Sequence, residues 1–162
     1  MSVSLRVGIG YDSHRFEEGR RLVLGGVGFP GETGLKGHSD ADVLIHAVID
    51  ALLGAAALGD IGSHFPDTDE KWRGADSAGL LKETVAELAE AGCKAVNIDA
   101  VVICERPRLS DRLVAIRRRL AELTGLDVSD IGIKGKTNEK MDATGAGTGI
   151  AVHAVALVER RK

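Results

Sequence analysis

The chain has 162 residues, 44% of them hydrophobic and 28% charged, which suffices for one globular domain with a real core. Only 3% are aromatic and the net charge is −3, which argues against stacking platforms for single-stranded nucleic acid and against a general nucleic-acid binder. Cys93 and Cys104 form no CxxC pair, and the opening MSVSLRVGIG lacks the basic and apolar regions of a signal peptide. No apolar run is long enough to span a bilayer, so a reduced, cytoplasmic protein is expected.

Residues 5–11, LRVGIGY, alternate cleanly and predict a strand with Leu5, Val7, Ile9 and Tyr11 on one face. Gly8, Gly10, Asp12 and His14 share the other, where the glycines leave room for another element to approach. RLVLGGVGFP (21–30) reads as a short strand or hairpin broken at Gly25-Gly26. The almost wholly apolar stretch between Gly37 and Asp60 predicts a buried helix capped by Ser39 or Asp40. His38, Asp42, His46 and Asp50 recur along it every four residues, a spacing that would align them on one helical face. Such a stripe is either a set of satisfied hydrogen bonds or a site for a metal or a strongly charged ligand.

Residues 59–77 have no helical or strand period and read as a long loop of the kind that often forms a lid. A helix capped by Asp76 or Ser77 and stopped at Gly92 follows, then a β-branched strand over 94–104. After a Pro-containing connection (105–110), Ser110 or Asp111 caps a helix cored by Leu113, Ile116, Leu120 and Leu123. Arg112 and Arg117–Arg119 are expected on its wet side. A strand over 131–137, a Gly-rich loop (138–149) and a last strand (150–159) complete the chain. The sum is an α+β sandwich, about four main strands in a mixed sheet against three helices, in one domain over 1–162.

There is no nucleophile elbow, Walker A loop or HExxH motif. Asp12, His14 and His46 can instead form a three-ligand site with an open fourth position, as working zinc sites have. Lys134, Lys136, Thr137 and Glu139 around Gly135 suit phosphate oxygens and a harder cation, so a phosphorylated or diphosphate substrate is indicated.

The segments GIGYDSH, GHSDADVLIHAVIDALLGAAALGDIGSHFPDTD, ERPRL and KGKTNEKMDATGAGTGIA, spread over essentially the whole chain, resemble the 2-C-methyl-D-erythritol 2,4-cyclodiphosphate synthase family of the non-mevalonate isoprenoid pathway. The resemblance implies a homotrimer with active sites between subunits, each using zinc and a second divalent cation, magnesium or manganese. The substrate would be 4-diphosphocytidyl-2-C-methyl-D-erythritol 2-phosphate, cyclised with release of CMP. A phosphate nucleophile is already anionic, so such an enzyme needs positioning and charge neutralisation more than a strong base.

Carried over, the family's zinc ligands fall on Asp12, His14 and His46, the second-metal ligand on Glu139, and the transition-state stabilisers on His38 and Thr137. Asp42 and Asp50 are expected to orient the histidines. The methylerythritol phosphate end would meet Ser39, Asp60, Ile61, Gly62 and the loop Phe65, Pro66, Asp67, Thr68 and Asp69. Cytidine would be held by Cys104, Glu105, Arg106, Pro107, Arg108, Leu109 and Ser110, with Lys136, Thr137, Asn138 and Glu139, from the neighbouring subunit. One departure stands out. Where the family commonly reads FTGRGEG, this chain has Ala143, Ala146 and Thr148 in place of the Phe, Arg and Glu, so its trimer-axis cavity is not expected to hold an isoprenoid diphosphate. The alternatives are a zinc-dependent phosphohydrolase of a nucleotide-linked substrate and a metal-stabilised scaffold that binds cytidine nucleotides.

Overall fold

The strand predicted at the N-terminus continues far beyond residue 11. In the computed structural model, which describes residues 2–161, β1 spans Val3–Leu24. Its length follows from having two partners in turn. Residues 3–15 pair antiparallel with β5 (Gly149–Arg161), and the 16–24 segment pairs with β2 (Val27–Leu35), with register shifts on both sides of Arg21. β3 (Cys93–Ile103) lies antiparallel to β5 and parallel to β4 (Ile131–Lys136). The result is one mixed sheet of five strands in the order β2-β1-β5-β3-β4, one strand more than the sequence pattern predicts. The fifth is β2, the far arm of the hairpin read over 21–30, with the Gly25-Gly26 turn joining it to β1.

Helix α1 (Val43–Ala56) packs across β1 and β5 and buries eleven of its fourteen residues. The exceptions are His46, Asp50 and Gly54. Close approach is possible because β1 presents glycines to it. A Cβ on Gly8 would stand 2.0 Å from the Ala51 carbonyl oxygen, and one on Gly10 would stand 1.8 Å from that of Ala47. The expected room for a second element is therefore filled by α1. The helix begins two to three residues later than Ser39 or Asp40 would place it, because Asp42 is the cap and accepts from Ile45 N–H at 3.0 Å. His38 consequently lies outside the helix, and the four-residue polar stripe reduces to His46 and Asp50.

Residues 59–77 contain a short helix α2 (Ile61–His64), capped by Asp60, and a 3-10 turn (Glu70–Trp72), capped by Asp69. Helix α3 (Ser77–Glu90) is capped by Asp76. Helix α4 (Leu113–Thr124) starts at Arg112 without a side-chain cap, since Ser110 bonds to Asp111 instead. Arg117 is not merely solvated. Its guanidinium donates to the Ile131 and Val128 carbonyls at 2.7 and 2.8 Å, bracing the start of β4. A last short helix, α5 (Asp142–Gly145), sits in the Gly-rich segment. The outer face of the sheet is unlike an ordinary wet face: Leu5, Val7 and Ile9 on β1 are 67%, 70% and 71% exposed, with Tyr11 and Val155 beside them.

Candidate active site

Strand parity delivers Asp12 and His14 to the α1 side of β1, and the first turn of α1 delivers His46. One potential ligand atom from each lies within 4.8 Å of the others. His14 Nε2 is 2.8 Å and His46 Nδ1 is 3.1 Å from the same oxygen, Asp12 Oδ2. The His14 ring is oriented from its far side, where Nδ1 donates to the Lys36 carbonyl oxygen at 2.6 Å. A neutral ring can donate from only one nitrogen, so His14 Nε2 then faces Asp12 with a lone pair. Lone pairs converging at this distance repel unless a proton or a cation lies between them, which is how a ligand set for a metal is built. Burial would raise the Asp12 carboxyl, but its contacts with the His14 and His46 rings outweigh that and hold it down at about 2. Burial likewise disfavours the His14 cation, yet contact with Asp12 raises that imidazole above its ordinary 6.5.

These three residues form the floor of a cleft of about 410 Å³. Gly37, His38 and Ser39 wall one side, and Asp50, Ile61, Gly62, Phe65 and Asp67 another. Of the substrate residues expected from sequence, Ser39, Ile61, Gly62, Phe65 and Asp67 line it, whereas Asp60, Pro66, Thr68 and Asp69 do not, Asp60 and Asp69 capping α2 and the 3-10 turn instead. Trp72 and Leu80 also line it and are not singled out by any sequence motif. Trp72 stands edge-on to Phe65 with ring centroids 5.0 Å apart, so an apolar corner faces the acidic and imidazole floor. The Nε2 atom of His38 is shut off from solvent and has no hydrogen-bond partner among the described residues.

Two expectations need correction. Asp42 does not orient a histidine. It is fully buried and accepts N–H donors from Gly25 (2.9 Å), Gly26 (2.7 Å) and Ile45 (3.0 Å), which locks the β1–β2 turn onto the start of α1. Asp50 does not bond a histidine either, but accepts from Ile61 N–H at 2.8 Å and fastens α2 to α1. Contacts from Lys36, Ser39 and Ser77 hold the rings instead.

A second cleft, about 390 Å³, opens where β3 and β4 end side by side. Ligands commonly bind beyond the carboxyl ends of adjacent parallel strands. Cys104, Glu105, Pro107, Arg108, Leu109 and Ser110 line it with Lys136 and Thr137. Arg106 turns away, over the Phe16 ring. Burial pushes the Cys104 thiol up to about 11, so it is a wall and not a nucleophile. Asn138 N–H donates to Glu105 at 3.2 Å, tying the two rims together. Glu139 is exposed beside Thr137 and lines neither cleft. Within one chain, His38 and the Asp12–His14–His46 set therefore belong to one cleft and Thr137 to the other. Ala143 and Thr148 line a third hollow outside β1 and β5, and Ala146 does not.

The sequence model of the YgbB family matches residues 5–159. The chain belongs to the YgbB family. Among its relatives, a 2-C-methyl-D-erythritol 2,4-cyclodiphosphate synthase of Brachyspira hyodysenteriae is 51% identical over 158 residues, covering 98% of this chain and all of that one. A solved synthase of the same name, in a CDP-bound form, superimposes on this YgbB chain with a TM-score of 0.87 at 40% identity, covering 94% of this chain and 99% of its own. The bifunctional IspDF of Campylobacter jejuni superimposes with a TM-score of 0.95 at 40% identity. The chain spans 44% of that longer protein.

Proposed function

We propose that this chain converts 4-diphosphocytidyl-2-C-methyl-D-erythritol 2-phosphate into 2-C-methyl-D-erythritol 2,4-cyclodiphosphate and CMP. A 2-phosphate oxygen bonds to the β-phosphorus while the bond from that phosphorus to the oxygen bridging to the α-phosphate breaks, and CMP leaves with the electron pair. The observation that carries this reading is the convergence of Asp12, His14 and His46 at the floor of a cleft whose far wall is the 61–72 segment.

Asp12, His14 and His46 would hold zinc, and Glu139 would hold magnesium or manganese. When bound, these cations neutralise charge accumulating on the phosphate oxygens during displacement. The chain itself supplies position. His38 and Ser39, which line the cleft, meet the phosphates, and Ile61, Gly62 and Phe65 exclude water around the methylerythritol end. Cytidine sits in the β3–β4 cleft, against the 104–110 turn, from which Arg106 points away, and beside Lys136 and Thr137, with Asn138 at the rim. Because the two clefts are separate in one chain, a complete site draws the second from a neighbouring subunit of a homotrimer. The exposed apolar stripe Leu5, Val7, Ile9 and Tyr11 supports such an assembly. Residues 1–162 are read as a single synthase domain, supported by the one continuous sheet. Two buried, unpaired cysteines favour a reducing cytoplasm.

Phosphorus NMR of the protein with the cytidylated substrate, with and without zinc and magnesium, tests the reading. The expected result is metal-dependent formation of the cyclic diphosphate and CMP. Linear phosphate products would assign a phosphohydrolase instead.

A further inference from the structure

Ser77, the first residue of α3, is fully buried, although the helix does not need it as a cap because Asp76 fills that role. Its hydroxyl donates to Asp40 Oδ1, and its backbone N–H donates to Asp40 Oδ2 at 3.1 Å. One carboxylate thus grips the same serine twice. With its proton committed to Asp40, the Ser77 oxygen has only lone pairs to offer His46 Nε2, which lies 2.9 Å away. Nε2 must then carry the ring proton, and Nδ1, on the opposite side, presents its lone pair toward Asp12 at 3.1 Å.

We infer that Ser77 and Asp40 form a positioning pair that fixes His46 in its Nε2–H tautomer and so turns Nδ1 into a ligand atom. The inference deepens the metal-dependent reading above and rests on it. Partners on the far nitrogen of a ligating histidine set both its orientation and its basicity.

The pair has a structural frame of its own. Asp40 N–H donates to the Ala75 carbonyl at 3.1 Å, and Gly74 N–H donates to the His38 carbonyl at 2.9 Å. The segment carrying His38, Ser39 and Asp40 is thereby stitched to the end of the cleft-lining loop, and Ser77 passes that register to His46. Ser39 completes the arrangement. Its oxygen accepts from Ala41 N–H at 3.2 Å and lies 3.2 Å from the same Nε2, so it acts as a minor second acceptor. Its own proton remains free on the wall of the cleft.

Nitrogen-15 NMR of histidine-labelled, metal-free protein reads the tautomer directly, and zinc titration reads its consequence. Wild type is expected to show His46 protonated at Nε2. Ser77→Ala should give a mixture of tautomers and a zinc Kd weaker by about 10–100-fold, with the other ring signals and the backbone spectrum retained. Asp40→Ala, which removes the acceptor of the serine proton, should move both readouts in the same direction and serves if Ser77→Ala does not fold. Protonation of wild-type His46 at Nδ1 would overturn the inference, as would Ser77→Ala protein with unchanged tautomer and unchanged zinc affinity. Wild type that binds zinc in the expected tautomer yet forms no cyclic product would sink the synthase reading and leave this pair standing.

Discussion

Asp12 and His14 share one contact, so the pH dependence of the metal-free protein and that of metal binding run in opposite directions. The Asp12 carboxyl is held at about 2, below its ordinary 3.8, so its stabilising effect is present above 3.8 and is lost as pH falls toward 2. His14 is raised above 6.5, so its effect is full below 6.5 and is lost as pH rises through the raised value. Metal-free protein should therefore be most stable between these limits and lose this contribution at alkaline pH. Zinc competes with the His14 proton, so its affinity should rise with pH and weaken by about tenfold per unit where one proton is displaced. Thermal melts and zinc titrations over pH 4–9 check both signs, and His46→Ala should abolish the titration. Parallel slopes for melting and zinc affinity would contradict the shared contact. At this scale the ligands were legible because strand parity places Asp12 and His14 on one side. Ser77 and Asp40 were not, since they meet His46 only after α3 folds back onto the 38–40 segment. Asp42 misled because a four-residue spacing implies a shared face only when every member lies on the helix.

The close packing of α1 on β1 is the element on which the site depends. Gly10 meets the carbonyl of Ala47, the residue next to His46, so any side chain there pushes α1 away from the strand that carries Asp12 and His14. Gly10→Ala is expected to destabilise by about 1–3 kcal/mol. It should also weaken zinc binding more than a distant substitution of equal stability cost, since it separates ligands as well as layers. Urea unfolding together with zinc titration separates the two effects, and a Gly10→Ala protein with native zinc affinity would show that the layers can part without moving the ligands. The buried apolar run of α1 was plain in the sequence, as were α3, α4 and the central strands. The full length of β1 was hidden because its second half, from Phe16 to Leu24, alternates weakly and is strand only by pairing with β2. The helical turns within 59–77 are held by local caps, Asp60 with Ser63 and Asp69 with Lys71, which carry little periodic signal.

At the scale of the molecule, two facts stand together. Helices cover one face of the sheet, while the other exposes an apolar stripe along β1, and the residues assigned to one reaction lie in two separate clefts. Isolated exposed apolar residues are ordinary, but an alternating run of five along one strand, from Val3 to Tyr11, is a surface shaped for burial. If a homotrimer buries it, a site can combine the Asp12–His14–His46 cleft of one subunit with Thr137 and Glu139 of the next. This has a consequence that a self-contained site cannot mimic. His46→Ala and Glu139→Ala should each be nearly inactive alone. Mixed by unfolding and refolding together, they should recover a measurable share of wild-type turnover, because some interfaces pair an intact cleft from one variant with an intact Glu139 from the other. Were both residues used by the same chain, every site in the mixture would lack one of them and no activity would return. Charging the stripe by Val7→Glu should separate the subunits and abolish turnover, while zinc still binds the single chain, because all three of its ligands come from within that chain.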